Sequence, residues 1–369
     1  MDVSIPGERI TNIVKLLRDR DIRYHITGEQ SKKIRCPTPV LRPTKIFTSI
    51  FYLLDRAMDW IDFHPLTVIY NALETLEEKY PSICMVSNIG KSVEGRDIKM
   101  LRITNSDARN KAAWLDGGIH AREWIAVSVV AYIAHQFATN YSALPEYITN
   151  KDWYFVPVVN PDGYHYTHTS DRLWRKSRAR VENTPCGVDL NRNFGYGWGK
   201  TKNDAYEDPN HINYQGSEAF SEPETKAIRD VILKSNNRFK IFLTFHAYSE
   251  VISFPWCNSS EPCPDYVDLL EGATVMAKAV YNTHKRVYKV GNFRNIMYYA
   301  TGTSIDWSYG SAKIPFSYLF ELRSKHHKFL LPKEEILPCC EEALSGVKAL
   351  AKFVEQKKQY YSYSSLKMS

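Results

Sequence analysis

A chain of 369 residues with 44% hydrophobic and 13% aromatic residues can bury a sizeable core, so it is globular, with one large domain or a large domain and a small one. Its formal net charge of +7 is modest, and its 48 Lys and Arg are scattered among 41 acidic residues, which argues against nucleic acid as a partner. No stretch reaches the roughly 18 to 20 apolar residues of a membrane span, so no membrane partner is expected. In chain order, "MDVSIPGERI" has neither a basic nor an apolar leader region, so the chain is cytosolic or begins downstream of its secretory signal. Residues 6 to 35 read as a small unit: a helix over Gly7 to Asp21 with apolar Ile10, Ile13, Val14, Leu16 and Leu17, then a strand "IRYHI". "KKIRCPTPVLRPTK", basic and rich in proline, reads as an exposed connector of the kind trypsin-like proteases cut.

From about Phe63 strands and helices alternate. "TVIYNALETLEEKYP" is helix-periodic, "DIKMLRIT" and "AAWLDGG" are strand-like, and "WIAVSVVAYIAHQFATNY" is a strongly apolar helix. "DWYFVPVV" is a strand that ends in a turn at Asn160-Pro161-Asp162-Gly163. "SEPETKAIRDVILKS" opens with Ser221 and Glu224 at capping-box spacing, and "FKIFLTFH" and "IPFSYLFEL" are further strands. This pattern predicts one α/β domain around a largely parallel or mixed sheet. "YYSYSSLKMS" reads as a frayed tail, which gives three regions: 1–45, 57–359 and 360–369.

Seven cysteines are too few for a disulfide scaffold. Cys257 and Cys263 bracket the polar loop "NSSEP"; a bridge between them is the expectation in an oxidising compartment, two free thiols the alternative. The vicinal Cys339 and Cys340 read as one buried and one exposed helix position. Sequons at Asn140 and Asn258 are compatible with secretion.

Functional residues on such a sheet collect where strands end. "GGIHAREWIA" places His120 and Glu123 between a strand and an apolar helix, and His246 closes "FKIFLTFH"; imidazole and carboxylate are both zinc ligands. H-x-x-E alone is weak, since with 11 histidines roughly one such pair arises by chance, and a lone strand histidine is commonly a core residue bonded to backbone.

Seven segments change that balance: "HAREW" at 120–124, "NPDGY" at 160–164, "RLWRK" at 172–176, "GVDLNRN" at 187–193, "FHAYSE" at 245–250, "GTSIDWSYG" at 302–310 and "FEL" at 320–322. In order and spacing, from about residue 63 to 355, the chain resembles the zinc metallocarboxypeptidases of the carboxypeptidase A and B type. The resemblance implies a mixed eight-stranded twisted sheet flanked by helices, preceded by a partial α+β inhibitory prosegment. It implies one Zn2+ per chain on His120, Glu123 and His246, with a fourth position open, and Asp189 orienting a zinc-bound histidine. Glu321 matches the general base, and Arg175 the donor to the developing oxyanion. Asn191 and Arg192 match the clamp on the substrate's terminal carboxylate, and Tyr298 the tyrosine that closes over the bound residue. Arg122, Tyr248 and Phe329 match substrate-groove positions, although "SKHHKFLLP" is one residue shorter than the family pattern.

The matched pocket-floor position is Ile305, where a B-type enzyme carries aspartate. Isoleucine offers a basic side chain no counter-charge, so apolar or aromatic C-terminal residues are expected. Ser253, Met297, Thr303 and Leu319 match the pocket walls and differ from the common A-type set. Cys186 matches one half of a family disulfide whose partner is missing from the following segment. The resemblance further implies a secreted, monomeric proenzyme that acts on peptide and protein C-termini and is susceptible to proteinaceous carboxypeptidase inhibitors. A trypsin-like protease would activate it between Lys32 and Arg56, with Arg56 the preferred site. The rival readings are B-type or broad specificity, a deacylase of the same zinc fold, and a catalytically silent binding protein on the scaffold.

Overall fold

The alternation read after residue 63 resolves into one large sheet, and the N-terminal stretch contributes a separate small one. The computed structural model describes residues 2–5, 25–27, 32–35, 58–180, 186–200, 204–235 and 238–367. The chain divides into two compact units, Met1–Asp55 and Arg56–Ser369. In the first, β1 (Asp2–Ile5), β2 (His25–Thr27) and β3 (Lys32–Arg35) form an antiparallel sheet in the order β1-β3-β2. The sequence "KKIR", read as connector from its charge, is therefore the central strand of this sheet, because backbone pairing on both edges outweighs composition. The helix expected over Gly7 to Asp21 lies outside the described residues.

The second unit begins with α1 (Leu66–Lys79), β4 (Cys84–Lys91), β5 (Asp97–Ile103), β6 (Lys111–Asp116), α2 (Trp124–Thr139), β7 (Lys151–Val156) and α3 (Pro161–Thr169). It continues through α4 (Pro223–Leu233), β8 (Phe239–Ala247), β9 (Val251–Phe254), α5 (Tyr266–His284) and β10 (Lys289–Asn292). It closes with α6 (Ser304–Gly310), β11 (Phe316–Leu322) and α7 (Ile336–Lys367). The eight strands run β10-β9-β11-β8-β6-β7-β5-β4, and β11, β8, β6 and β7 are mutually parallel.

The two faces of these central strands bury separate cores. Ala113, Leu115, Ile241, Leu243 and Phe245 face a cluster that includes residues of α2, α5 and α7, whereas Ala112, Trp114 and Phe242 face one that includes Ile228 of α4 and Trp307 of α6. Helices on both faces explain why the central strands read as apolar runs rather than alternating ones. They also explain α2, buried over most of its circumference between sheet and α7.

Several local expectations are corrected. The turn at Asn160–Gly163 is the start of α3: Asn160 is the N-cap, its side chain accepts from Gly163 N, and Pro161 takes the first turn, where its missing N–H costs nothing. The capping box at Ser221 does not form, because Glu222 is the N-cap and Ser221 Oγ donates to Glu222. The expected Cys257–Cys263 disulfide is absent; both thiols are free and buried, Cys257 beside Thr303 and Asp306 and Cys263 beside Tyr309. Cys339 and Cys340 are both buried because α7 packs against α2 and α5. Residues 360–367, expected to fray, continue α7.

Glu224 is fully buried in α4, and its Oε2 has no hydrogen-bond partner. Burial, with Glu222 and Asp162 nearby, pushes its carboxyl up to about 8 from 4.5. A raised acid favours the folded state fully below about 4.5 and progressively less up to about 8. The thermal midpoint is thus expected to fall as pH rises from about 5 to about 8, and Glu224→Gln to flatten that slope; an unchanged slope in the variant would refute this assignment.

Candidate active site

The C-terminal ends of β6, β8 and β11 bring the site together. Gly118 makes the sharp exit from β6 possible: its φ is +62°, and a Cβ there would lie 2.8 Å from Val127 Cγ2. The loop then delivers His120 and Glu123, β8 delivers His246, and β11 delivers Glu321 opposite His246 in the parallel register.

His120 Nδ1 lies 2.8 Å from Glu123 Oε1, His246 Nδ1 lies 3.1 Å from Glu123 Oε2, and the two Nδ1 atoms are 3.1 Å apart. The opposite ring nitrogens fix the tautomers through their partners. His120 Nε2 donates to Asp189 Oδ1 at 3.2 Å. His246 Nε2 donates to Thr244 Oγ1 at 3.1 Å, and that hydroxyl spends its own proton on Asp116 Oδ1 at 2.7 Å. Both imidazoles therefore turn an Nδ1 lone pair toward one point beside a carboxylate, a buried donor set that repels itself unless a cation is held there. This is the chemistry of a zinc site, and among the described residues it is the one cluster of metal-ligating groups within reach of one another. With no cation held there, protons on these two histidines replace it: burial pushes the Glu123 carboxyl up, but positively charged His120 and His246 hold it below the usual carboxylate range.

Asp189, fully buried, organises the rest. Its Oδ1 also accepts from Asn191 N at 3.0 Å, and its Oδ2 accepts from Arg175 Nη2 at 3.0 Å and Nε at 3.2 Å. A single turn at Leu190–Arg192 presents Asn191 and Arg192, and Asn191 Oδ1 accepts from Ser304 N at 2.8 Å. Arg192, only 2% exposed, donates from Nη1 to Asn191 O at 2.7 Å and from Nη2 to Tyr298 Oη at 3.5 Å, while its Nε has no partner. Gly302 allows this closeness: its φ is +64°, and a Cβ would come within 2.1 Å of Arg192 O. The Arg122 guanidinium stacks 4.0 Å from the Phe329 ring, which meets Tyr248 edge-on at 4.9 Å. Burial pushes Glu321 up to about 7 against the pull of His246.

His120, Glu123, His246, Arg175, Asn191, Arg192, Tyr298 and Glu321 line one cavity of about 240 Å3, together with the uncharged Phe293, Met297, Thr303 and Leu319. Ile305 is fully buried and is not among the lining residues, nor is Ser253, whose hydroxyl is turned to Leu319 O. A larger cleft of about 660 Å3 opens near the starts of β6 and β7, but most of its charges are satisfied among themselves, as in Arg109–Asp107, Lys151–Glu355 and Lys357–Asp268. It brings no reactive set together.

A zinc carboxypeptidase family model matches residues 69–346. The chain belongs to that family. Carboxypeptidase B from Astacus astacus is 39% identical over 301 residues, covering 81% of this chain and 99% of that one. Bovine carboxypeptidase A1 is 32% identical over 360 residues, covering 94% and 82%. The structure of bovine thrombin-activatable fibrinolysis inhibitor in complex with tick carboxypeptidase inhibitor superposes with a TM-score of 0.74 at 34% identity, covering 81% of this chain and 99% of that chain. This zinc carboxypeptidase is thus a metal-dependent peptide hydrolase acting at C-termini, on the mixed eight-stranded sheet its sequence implied. No helix among the described residues is long and apolar enough to cross a membrane.

Sequence reading missed two parts of this zinc carboxypeptidase's site. The first is the chain Trp114–Asp116–Thr244–His246, in which Trp114 Nε1 donates to Asp116 Oδ2 at 2.6 Å. Strand periodicity was its signal, since Thr244 and His246 share a face of β8. The second is Tyr206, buried near enough to Arg192 to feel its charge, on a segment with no periodicity to place it. Thr244→Val leaves His246 Nε2 and Asp116 Oδ1 without this partner. It is expected to weaken zinc retention by about 10- to 100-fold in a chelator competition and to cost about 1–3 kcal/mol of stability; zinc retention equal to wild type would show that Thr244 does not orient His246.

Proposed function

We propose that this zinc carboxypeptidase removes apolar or aromatic C-terminal residues with Glu321 as general base. The observation that carries the reading is the composition of the cavity: its carboxylates are Glu123 and Glu321, both beside the metal site, and the wall residues Phe293, Met297, Thr303 and Leu319 are uncharged. A lysine or arginine side chain against that wall would lose its hydration with no counter-charge in return, at a cost of several kcal/mol. The nearest acid in sequence, Asp306, is buried and already accepts from Cys257 N and Asn258 N.

Zinc, held by His120, Glu123 and His246, would acidify a water and polarise the scissile carbonyl. Glu321 takes the water proton on its carboxylate and returns it to the leaving amine; burial has already brought its affinity for a proton close to neutrality. Arg175, held by Asp189, donates to the carbonyl oxygen as negative charge grows there. Asn191 and Arg192 hold the terminal carboxylate, and a peptide without one leaves the buried guanidinium unpaired, which restricts cleavage to the chain end. Tyr298, 45% exposed, is free to fold over the bound residue, and Arg122, Tyr248 and Phe329 receive the preceding ones.

The same reading makes residues 1–45 an inhibitory prosegment and connector, 57–359 the catalytic region, and the protein a secreted monomeric proenzyme open to proteinaceous inhibitors. The division into compact units between Asp55 and Arg56 supports Arg56 as the activation site.

Trypsin-treated protein is expected to release Phe or Leu from blocked dipeptides in preference to Lys or Glu, and to stop when zinc is chelated. Glu321→Ala is expected to lower kcat by about 10^2- to 10^4-fold. Preferential release of Lys would overturn the specificity, and full activity in Glu321→Ala would overturn the role of the base. The Astacus relative's name, carboxypeptidase B, favours the first of these outcomes as the second reading.

A further inference from the structure

Two sequons, Asn140-Tyr141-Ser142 and Asn258-Ser259-Ser260, have no part in the proposed activity, and the fold treats them differently. Asn140 is the C-cap of α2, exposed where that helix gives way to the one-turn helix Tyr141–Ala143, and Ser142 is exposed as well. The Asn140 side chain bonds only locally: its Nδ2 lies 3.1 Å from each of Gln136 O, Gln136 Oε1 and Thr139 Oγ1. Two amide hydrogens serve three acceptors only by sharing, and an amide that has taken a sugar keeps one hydrogen, enough for Gln136 O. All three acceptors belong to α2 itself, so giving up the other hydrogen breaks no bond between elements.

Asn258 is placed the opposite way. Its Nδ2 packs against Gly197, where a Cβ would meet it at 2.6 Å, and its backbone N donates to Asp306 Oδ2 at 3.2 Å. The loop is tied down on both sides of it: Ala300 N donates to Cys257 O at 3.1 Å, and Asn295 Nδ2 donates to Ser260 O at 3.3 Å. A sugar on that nitrogen would have to push Gly197 away.

We infer that Asn140 is an N-glycosylation site of this protein and that Asn258 is not. The inference rests on the reading of the protein as secreted, because the modification is made in the secretory pathway. In the step, Nδ2 of Asn140 gives up a proton to the transferase and bonds to C1 of an N-acetylglucosamine. The bond from C1 to the diphosphate of a lipid-linked oligosaccharide breaks, and the diphosphate leaves with the electron pair. The 16 residues of α2 separate Asn140 from Glu123, so at about 1.5 Å per residue the glycan sits roughly 24 Å along the helix from the metal site and leaves the cavity open.

The test expresses the full chain behind a cleavable secretion leader in a eukaryotic cell. Protein from the medium, or from the cells should none be released, is treated with peptide-N-glycosidase in heavy-oxygen water, which turns a glycosylated Asn into labelled Asp, and is mapped by mass spectrometry. Label is expected at Asn140 and not at Asn258. Asn140→Gln is expected to abolish the shift in gel mobility that the glycosidase produces and to leave kcat and KM unchanged. Ser142→Ala, which keeps Asn140 and its cap, is expected to do the same and serves should the glutamine form not fold. No label at Asn140, or label at Asn258 in active protein, would overturn the inference. The native protein is fractionated and mapped alongside, and is expected outside the cell with Asn140 modified. Native protein confined to the cytosol would overturn the secretion reading and this inference with it; native protein outside the cell with Asn140 unmodified would overturn the inference alone.

Discussion

One buried carboxylate aligns most of the site. Asp189 has no exposure, and between its two oxygens it receives His120, Arg175 and the backbone of Asn191. A carboxylate withdrawn from water carries a large penalty unless donors replace its hydration. Here the donors are the functional groups themselves: burial pushes the Asp189 carboxyl up, and Arg175, Arg192 and His120 hold it well below the usual range. The free energy that keeps Asp189 charged is therefore the same free energy that orients His120, Arg175 and the turn carrying Asn191 and Arg192. Loss of this one group would loosen all three together.

The second fixed element is the sheet. His246 and Glu321 are partners in the parallel register of β8 and β11, and His120 follows β6, which pairs with β8 on its other side. Backbone hydrogen bonds of the central strands thereby set the spacing of His120, His246 and Glu321. Helix-covered faces keep that region dry, which raises both the Glu321 carboxyl and the strength of every charge interaction in the cavity.

Much of this was legible in the sequence where residues repeat with a period or match a motif. The strands "AAWLDGG" and "FKIFLTFH" and the apolar helix "WIAVSVVAYIAHQFATNY" were visible because both faces of the sheet are covered, which leaves long apolar runs. The metal-ligating triad was visible only as a combination of distant segments, since H-x-x-E by itself is close to chance. What escaped lacked a local pattern. β9 and β10 are four residues each, and "KKIR" pairs on both edges despite its charge. The Cys257 and Cys263 spacing suggested a staple, but spacing does not reveal that each thiol already has neighbours of its own. Tyr206 was invisible because its neighbour in charge, Arg192, is brought near it by tertiary structure alone.

The pairing of Glu321 with His246 has a consequence for folding. Side chains alternate across a strand, so a one-residue slip of β11 against β8 would turn Glu321 away from the cavity and expose Phe320 to it. The chain could then be compact, helical and able to hold zinc on His120, Glu123 and His246, and still lack Glu321 in its cavity. Under the role proposed for Glu321, activity is a reading of strand register: specific activity counts the molecules whose sheet has zipped in the correct frame.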